Sequence, residues 1–456
     1  GERPGKLPTI PAMPMGRDAA RAASGVARIT GLLVSFSRGP YGLAAGFAAL
    51  HLAYALALLP IMLRGGTEGD LPLYRTWAMQ TMSGHGPVFD EPWVYPAGAL
   101  LPIVLALLAG RGGYLAVWLV IMTALNAAAV LTLTRRLRDR RAYPAAWWFL
   151  LFEFLLAPVA LLRLEAVTVP LAIMALALVV RRPAVAGALI AAAAWVKVWP
   201  VSLAVSAFVV SRRRWAIALG GLAMSAAVAL VVVLGGGGPN LLSFVTVQSD
   251  RALQLEAPIA TPWVWGAVLG GEGYRIFEDL RLATREVAGP GATEAAEAIG
   301  VAMMLACVVV VALLVVARLR LRRLGPDAGG MEPRLLLLVA LALAAALIAL
   351  NKVGSPQYML WLVTIVVAGL AVDRARWRGV ALWLAAISLL TTMVFPILYM
   401  PLVEGEPFAA IVLTLRNVLV VLLFLAATGR LALVAIDPAR LLPRAVPARV
   451  PASVSA

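Results

Sequence analysis

The residues that could do chemistry begin with an acid at the edge of the first long apolar segment. Asp70 follows residues 41–63 in the sequence GTEGDLPLYRTWAMQ, directly before Leu71 and Pro72. A carboxylate at a membrane boundary can be partly desolvated and can take a proton from a substrate hydroxyl group. The alternatives are a solvated loop acid and the N-cap of a helix that begins at Pro72. Position alone leaves these alternatives open.

A second group of polar residues lies in the sequence VTVQSDRALQLEAPIATPW, residues 245–263. At helical spacing, Arg251, Gln254 and Leu255 fall on one side of a helix. We therefore expect an interfacial helix that offers a guanidinium group and an amide at the bilayer surface, where a lipid phosphate would lie. Arginine suits phosphate because its guanidinium group donates two parallel hydrogen bonds. The alternative is an amphipathic helix whose arginine only reaches the lipid headgroups.

Further charged residues lie inside or at the edge of apolar runs: Arg163 and Glu165, Lys197 in WVKVWP, Lys352 in NKVGSPQYMLW, and Glu153 in WWFLLFEFLLAP. A charge at membrane depth costs about 2.5–3.5 kcal/mol on insertion scales, so it usually faces a cavity or a partner. Arg163 and Glu165 could form a local ion pair. Lys197 and Lys352 have no acid nearby in the sequence, which leaves a phosphate or a distant carboxylate as the counter-charge. Glu153 could be structural and paired with one of these lysines.

The cysteines and histidines exclude several kinds of site. The single cysteine, Cys307, excludes an internal disulfide and a thiolate metal cluster. Only His51 and His85 are present, which argues against a multi-histidine metal site. The glycines at 235–238 leave an apolar segment and do not form a phosphate-binding loop. We predict no metal and no cofactor. His85, in SGHGPVFD, is typical of an ordinary loop residue, although it could hydrogen-bond a substrate.

The elements that position these residues must be membrane helices. The chain is 62% hydrophobic and 14% charged, with a mean hydropathy of +0.91, which no water-soluble globular domain matches. Apolar segments lie at 41–63, 97–134, 143–161, 165–181, 184–211, 215–234, 296–318, 334–351, 355–372, 377–400 and 407–428. We predict an all-α polytopic membrane protein with about 11–13 transmembrane helices, some of them short or broken. Residues 184–211 should form two short helices that bend near Lys197–Pro200, and Arg111 with its two following glycines should interrupt 97–134.

The arginines indicate which ends of these helices face the cytoplasm. The net charge is +16, and the arginines cluster in short breaks between apolar segments, as cytoplasmic loops do under the positive-inside rule. This distribution argues against nucleic-acid binding. We predict a multi-pass plasma membrane protein with cytoplasmic tails at 1–40 and 429–456 and a membrane domain at 41–428. The long loops 64–96 and 235–294, rich in aromatic residues such as Tyr74 and Tyr95, would hold the active site on the extracytoplasmic side.

The ordered set of short motifs resembles a known family. The motifs are a YP pair (Tyr95, Pro96), an Arg-x-acid turn (Arg163, Glu165), K-x-W-P (Lys197, Trp199, Pro200), R-x-x-Q-x-E (Arg251, Gln254, Glu256), SPQY (Ser355–Tyr358, which includes Gln357) and a late R-N (Arg416, Asn417). Together with the acid after the first helix, they are similar to actinobacterial members of glycosyltransferase family 87, in the C-type superfamily. The family turn often reads Arg-x-Asp where this chain has Glu165, and a serine commonly stands where this chain has Ala257.

The resemblance implies a C-type glycosyltransferase fold and a polyprenyl-phosphate-sugar donor, with mannose as the expected sugar and an envelope glycolipid or polysaccharide as the acceptor. By this resemblance Asp70 matches the general base of an inverting displacement. Donor phosphate binding then falls to Arg251, Lys352 or Lys197. The resemblance leaves the following residues as candidates for substrate binding: Tyr74, His85, Tyr95, Arg163, Glu165, Gln254, Glu256, Gln357 and Tyr358. The competing hypotheses are a polyprenyl-phosphate-arabinose-dependent transferase, a transporter or lipid flippase, and a scaffold without catalytic activity.

Overall fold

The computed structural model describes residues 35–157, 159–246, 252–279, 284–325 and 330–442. The helices are α1 (Pro40–Leu63), α2 (Leu71–Met82), α3 (Leu100–Leu105), α4 (Tyr114–Leu133), α5 (Tyr143–Leu155), α6 (Glu165–Leu178), α7 (Pro183–Val196), α8 (Val201–Val210), α9 (Arg214–Leu234), α10 (Ser243–Thr246), α11 (Thr261–Val268), α12 (Ala292–Arg323), α13 (Glu332–Ala349), α14 (Met359–Val372), α15 (Arg374–Thr392), α16 (Tyr399–Val403) and α17 (Pro407–Ile436). The strands are β1 (Arg275–Asp279) and β2 (Thr284–Ala288). Short 3₁₀ turns include Ala97–Ala99, Ala106–Ala109, Pro258–Ala260 and Pro356–Tyr358.

The helices have the length and composition of membrane helices. In the described ranges, α1, α4, α9, α12, α13, α15 and α17 are long and apolar enough to cross a bilayer. Five shorter apolar segments accompany them: Ala97–Ala109, Glu165–Leu178, Pro183–Val196, Val201–Val210 and Pro356–Val372. A helix needs about 20 residues to cross about 30 Å of hydrocarbon. The prediction of an all-α polytopic membrane protein with some short or broken helices is therefore confirmed.

Both irregular segments break where the sequence predicts. Helix α7 ends when Lys197 takes an extended conformation (φ −155°, ψ 139°), and α8 begins after Pro200. Residues 97–134 are interrupted before Tyr114, because the turn Ala106–Ala109 ends at Gly110 with φ +71°. A positive φ is strained for residues with a side chain, so a glycine is the natural residue at this break.

The arginine clusters gather at one end of the helix bundle. Glu332, at the start of α13, binds Arg212 at 3.1 Å and Arg318 at 2.9 Å. Asp373, between α14 and α15, binds Arg334 at 3.0 Å. These pairs bring the C-terminal ends of α8, α12 and α14 together with the N-terminal ends of α13 and α15. We call this the basic end; it also carries the clusters at 135–141 and 181–182.

Several helices that run from the basic end are too short to reach the opposite surface. Helices α6, α7 and α14 each contain 14 residues, which corresponds to a rise of about 21 Å. The hydrocarbon core is about 30 Å thick. With the basic end at one membrane boundary, the far ends of these helices lie roughly 9 Å inside the other boundary. These three helices are therefore too short to cross the hydrocarbon core by their own length.

The centre of the bundle is formed by α13 and α14. In the most apolar 18-residue stretch of α13, 78% of the residues are buried, whereas in the corresponding stretches of α1 and α9 only 11% are buried. Nearly every residue of α14 is buried as well. A helix that is apolar on all sides and enclosed by protein belongs to the core, while an exposed apolar helix faces lipid. The central helix α14 therefore provides a rigid base for the residues at its N-terminus.

The loop after α9 contains a small β-structure that the sequence analysis did not predict. Strands β1 and β2 are antiparallel, with Arg275 opposite Ala288. The N–H of Leu255 donates to the Arg285 carbonyl at 2.9 Å, and the N–H of Val287 donates to the Leu253 carbonyl at 2.9 Å. The predicted interfacial helix is therefore wrong across residues 252–257. Leu253 and Leu255 alternate with polar residues, and this period of two is that of a strand.

Two helix boundaries differ from the prediction. Helix α17 continues to Ile436, so the start of the predicted C-terminal tail is helical. The Arg320 guanidinium donates to the Ile436 carbonyl at 2.7 Å, which satisfies a carbonyl group at the end of the helix. Helix α5 ends at Leu155, before the predicted limit at 161. In both cases the apolar run in the sequence did not mark the helix end.

Candidate active site

A glycine brings Asp70 against the turn that precedes α6. Gly69 has φ +66°, and a Cβ atom there would lie 3.2 Å from the Leu162 Cβ, so both its conformation and its surroundings favour glycine. The Asp70 carboxylate forms an ion pair with the Arg163 guanidinium. It also accepts a hydrogen bond from the Tyr74 hydroxyl at 3.2 Å. Asp70 occupies the N-cap position of α2 but makes no side-chain capping bond. Its carboxylate is therefore oriented by two side chains and remains available to a substrate.

The Tyr74 phenol acts as a donor in this arrangement. Tyr74 is buried on α2, and burial raises its pKa well above the usual value, with a further contribution from nearby Tyr95 and Glu165. The hydroxyl group therefore stays protonated at neutral pH. A protonated phenol beside a carboxylate stabilises one orientation of that carboxylate.

Arg163 and Glu165 face different partners across the start of α6. Arg163 binds Asp70, whereas Glu165 binds the Lys197 ammonium at 2.5 Å and accepts a hydrogen bond from Trp361 Nε1 at 3.5 Å. The local ion pair considered for Arg163 and Glu165 is thus replaced by two pairs that connect distant segments. Burial lowers the pKa of Arg163, while Glu165 and Glu256 raise it. Two ion pairs, Asp70–Arg163 and Glu165–Lys197, therefore flank the start of α6.

Lys197 has a carboxylate partner and two aromatic neighbours. Its ammonium group lies 5.6 Å from the ring centroid of Tyr95 and 5.6 Å from that of Tyr358. The Tyr358 ring packs on Trp361, with centroids 4.3 Å apart. Electron-rich ring faces stabilise a cation where water is scarce. The counter-charge that the sequence left undetermined is the distant acid Glu165.

Glu153 takes no part in this cluster. It accepts a hydrogen bond from Asn126, and its backbone carbonyl accepts one from the Tyr54 hydroxyl at 2.5 Å. The Asn126 amide also lies 3.3 Å from His51 Nε2. The expectation that Glu153 pairs with a lysine is therefore wrong: its neighbours are polar residues of α1 and α4, and Lys197 is engaged elsewhere.

Glu256 connects the outer segment to the last long helix. The Arg416 guanidinium donates to the Glu256 carbonyl at 3.0 Å and lies 3.4 Å from its carboxylate. Burial raises the pKa of Glu256, while Arg416 and Arg163 lower it. The sequence analysis named Arg416 only within the R-N motif. Its position inside the apolar helix α17 is a signal that could have singled it out, because a charge at membrane depth needs a partner.

Gln254 lies in the same segment, directly against the SPQY turn. Its backbone N–H donates to the Lys352 carbonyl at 3.0 Å. A Cβ atom on Gly354 would lie 2.2 Å from the Ala257 nitrogen, so the two backbones touch. Lys352 itself is half-buried. Gln357 is buried, and its Oε1 atom has no hydrogen-bond partner among the described residues.

One predicted residue, His85, is not brought into the cluster, and another, Arg251, cannot be placed. His85 is exposed beyond the C-terminus of α2, where its Nδ1 lies 3.2 Å from the Ser83 carbonyl. Asp70 lies at the opposite end of this 12-residue helix, roughly 18 Å away. Arg251 lies outside the described residues.

The exposure of the acids distinguishes their roles. The Asp70 side chain is 26% exposed, whereas those of Glu165 and Glu256 are 1% and 6% exposed. Of these three acids, Asp70 is the one that a hydroxyl group from outside can reach. Among the described residues, no group of three or more His, Cys, Asp or Glu could hold a metal ion. The arrangement can therefore accept a proton at Asp70 and stabilise an anion near Lys197.

An apolar cavity of about 660 Å³ opens beside this cluster. It is lined by α7, α8 and α9. Val198, which follows Lys197, and Pro96, which follows Tyr95, both line it. The indole N–H of Trp195 donates to the Ser225 hydroxyl at 3.0 Å across the cavity wall. Two residues adjacent in sequence to the cluster therefore line this cavity.

The comparisons with known proteins agree with the motif series. The family model of glycosyltransferase family 87 matches residues 93–265. No curated protein and no solved structure matches the chain. The matched segment contains Tyr95, Arg163, Glu165 and Lys197, and Asp70 precedes it. The predicted resemblance to this family is confirmed over these residues.

Proposed function

We propose that this chain, whose residues 93–265 match the family model of glycosyltransferase family 87, is a membrane glycosyltransferase that moves mannose from a polyprenyl-phosphate carrier to an envelope glycolipid or polysaccharide. The observation that carries this proposal is the partly exposed Asp70 carboxylate, held by Arg163 and Tyr74 beside the Glu165–Lys197 pair. This arrangement supports a base and an anion-stabilising cation within one cluster of side chains.

The reaction is a single inverting displacement. Asp70 takes the proton of the acceptor hydroxyl group as that oxygen attacks the anomeric carbon. The carboxylate has about four lone-pair sites, so the bonds to Arg163 and Tyr74 leave positions for the acceptor. The bond from the anomeric carbon to the phosphate oxygen breaks on the opposite face, and polyprenyl phosphate leaves as an anion. The Lys197 ammonium has three N–H donors, one of which binds Glu165, and a remaining donor stabilises that charge.

The donor lipid enters through the apolar cavity formed by α7, α8 and α9. Its isoprenoid chain packs on apolar side chains that include Trp195 and Phe208, and its phosphate lies at the Lys197 end. Burial of an isoprenoid chain contributes about 25 cal/mol for each Å² of apolar surface removed from a more polar environment. Since the surrounding lipid tails are themselves apolar, moving the isoprenoid chain from the bilayer into the cavity contributes little to donor affinity. The cavity instead selects donors by the shape of the chain and fixes where the chain lies.

The active site faces the extracytoplasmic side in this proposal. The basic end carries the arginine clusters, and the positive-inside rule assigns such an end to the cytoplasm. Lys197 and Tyr358 lie at the ends of α7 and α14 that are far from the basic end. Asp70 is paired with Arg163, just before the end of α6 that is far from the basic end. An acceptor in the cell envelope would then reach Asp70 from outside, while the donor lipid arrives within the membrane.

The test of the chemistry is Asp70→Asn in purified, lipid-reconstituted protein. We expect transfer from polyprenyl-phosphate-mannose to fall by about 10²–10⁴-fold, the usual contribution of a general base. The matched control is Asp90→Asn, which changes an exposed acid of the same loop and should leave turnover unchanged. Near-normal turnover of a folded Asp70→Asn protein would remove Asp70 from this role. Transfer from the arabinose donor but not from the mannose donor would overturn the sugar assignment.

The test of the orientation uses cysteine labelling. In a Cys307→Ser background, Glu68→Cys introduces a thiol at an exposed position next to Asp70. We expect a membrane-impermeant maleimide added to intact cells to label this thiol. The control is Arg138→Cys at the basic end, which should react only after the membrane is opened. The reverse pattern would place the site on the cytoplasmic side and refute the proposed acceptor.

A further inference from the structure

A second cavity, far from the active site, lies at the basic end between the C-terminal ends of α4 and α6. Its volume is about 850 Å³, and five arginines line it: Arg135, Arg136, Arg138, Arg181 and Arg182. They come from two separate connections, the one after α4 and the one after α6. The cavity is therefore assembled by the tertiary structure and is not one run of basic residues.

The arginines of this cavity carry more charge than their surroundings neutralise. Arg135 lies 3.5 Å from the Asp139 carboxylate; in the described part of the chain, the other four have no acid within ion-pair distance. The C-terminal ends of α4 and α6 each contribute roughly half a negative charge. About three positive charges remain uncompensated in this cavity. Such an excess attracts an anion.

The backbone that presents two of these arginines is held in an uncommon conformation. Arg135, Arg136 and Leu137 have φ values of +51°, +59° and +62°. Residues with side chains adopt this left-handed region only when their surroundings stabilise it, and such strain is frequent at ligand-binding segments. Here the buried Thr134 hydroxyl accepts from the Leu137 N–H at 3.2 Å, and the Tyr143 hydroxyl donates to the Leu137 carbonyl at 2.8 Å. These two hydrogen bonds hold the turn in place, and the turn puts Arg135 and Arg136 on the wall of the cavity.

The inner wall of the cavity is apolar. Ala128, Leu131 and Leu178 line it from the last turns of α4 and α6, and Leu131 is 42% exposed. The arginines lie beyond the helix ends, where headgroups are found, and the apolar residues lie one or two turns deeper, where acyl chains are found. This order of charge and apolar surface along the membrane normal matches one phospholipid molecule and does not match a free anion.

We propose that this cavity binds an anionic phospholipid, with the phosphate between the Arg135–Arg138 turn and the Arg181–Arg182 pair, and an acyl chain against Leu131 and Leu178. Basic pockets between transmembrane helices on the cytoplasmic side recognise such headgroups. The site is separate from the proposed glycosyl transfer and does not depend on it. A lipid that binds only the folded protein stabilises it by an amount that grows with the logarithm of lipid concentration above Kd.

The experiment measures lipid binding to the full-length protein in neutral detergent. Phosphatidylglycerol is titrated against phosphatidylcholine, with thermal unfolding and native mass spectrometry as the readouts. We expect phosphatidylglycerol to bind and to raise the unfolding temperature, and phosphatidylcholine to do neither at the same concentration. The double variant Arg181→Gln/Arg182→Gln should weaken phosphatidylglycerol binding about 30-fold, from the usual contribution of two arginines near an anionic headgroup.

The control variant is Arg213→Gln/Arg214→Gln, which removes two charges from the basic end outside the cavity. It should retain wild-type phosphatidylglycerol affinity, and equal weakening in both double variants would overturn a specific site. Glycerol phosphate serves as an acyl-free probe; if it matched phosphatidylglycerol in stabilising the protein, the lipid assignment would be refuted. If Arg181→Gln/Arg182→Gln fails to fold, the test uses Arg136→Gln/Arg138→Gln, which changes two exposed arginines on the opposite wall of the cavity. This variant should also weaken phosphatidylglycerol binding, and unchanged binding would overturn the site.

Discussion

The pair formed by Glu165 and Lys197 offers the most quantitative test of how the active site is built. The two groups are 2.5 Å apart, with side-chain exposures of 1% for Glu165 and 15% for Lys197. Glu165→Gln keeps the shape of the side chain and removes its charge. The Lys197 ammonium is then left in a largely dry site with the rings of Tyr95 and Tyr358 as its remaining partners.

The expected loss of stability follows from this geometry. Removing one partner of a buried ion pair costs about 3–5 kcal/mol, because the remaining charge is left uncompensated. The two aromatic faces offset part of this cost, by about 0.5–1 kcal/mol each. We therefore expect Glu165→Gln to lower the free energy of unfolding by about 1–4 kcal/mol. Lys197→Met, which leaves the Glu165 carboxylate unpaired, should cost a similar amount.

The assay is a double-mutant cycle. The free energy of unfolding is measured in mixed micelles for the wild type, for Glu165→Gln, for Lys197→Met and for the protein with both changes. Because the double variant contains no unpaired charge, it should be more stable than the sum of the single effects predicts, by at least about 2 kcal/mol. A coupling energy below about 0.5 kcal/mol would mean that the two changes act additively. Each charge would then be solvated by water and would not depend on the other. The description of a dry, paired site would then be refuted.

Three further predictions test individual features. Gly354→Ala should displace the Glu256–Ala257 backbone, since its Cβ would lie 2.2 Å from the Ala257 nitrogen; we expect a loss of about 1–3 kcal/mol in unfolding free energy and reduced transfer. Ala204→Trp, in the apolar cavity, should raise KM for a long-chain polyprenyl-phosphate donor and leave KM for a short-chain prenyl donor unchanged. Arg163→Lys keeps the charge but loses the planar guanidinium that orients Asp70, so kcat should fall more than tenfold in a transfer assay, with little change in donor KM.

These three predictions have matched controls and clear contrary outcomes. Gly379→Ala places a Cβ in open space within α15 and should be neutral or stabilising; an equally mild effect of Gly354→Ala would show that the two backbones are not in tight contact. If Ala204→Trp raised KM for donors of every length, the cavity would not be the site of the lipid chain. Full activity of Arg163→Lys would mean that a positive charge alone, without the planar guanidinium group, keeps the Asp70 carboxylate in its active orientation.

Much of the architecture follows from local sequence. The apolar segments predicted the membrane helices because a helix in a bilayer must be apolar over most of its length. Lys197–Pro200 and the glycines near 110 predicted the breaks, because proline and glycine restrict or free the backbone at their own positions. The same local rules failed for residues 252–257, where the apolar pattern also fits a helix face. Pairing with residues 285–287, distant in sequence, decides that this segment forms a β-bridge at Gln254 followed by a turn.

The sequence by itself determined which residues of the site carry charge: Asp70, Arg163, Glu165 and Lys197 were all recognisable as polar groups at membrane boundaries. Only the tertiary structure decided the pairing, which joins Asp70 to Arg163 and Glu165 to Lys197. It also leaves Asp70 more exposed than the other two acids of the site. The physical reason is that the cost of a charge in an apolar segment depends on that segment alone, whereas the partner that offsets it is chosen by how α2, α6 and α7 pack.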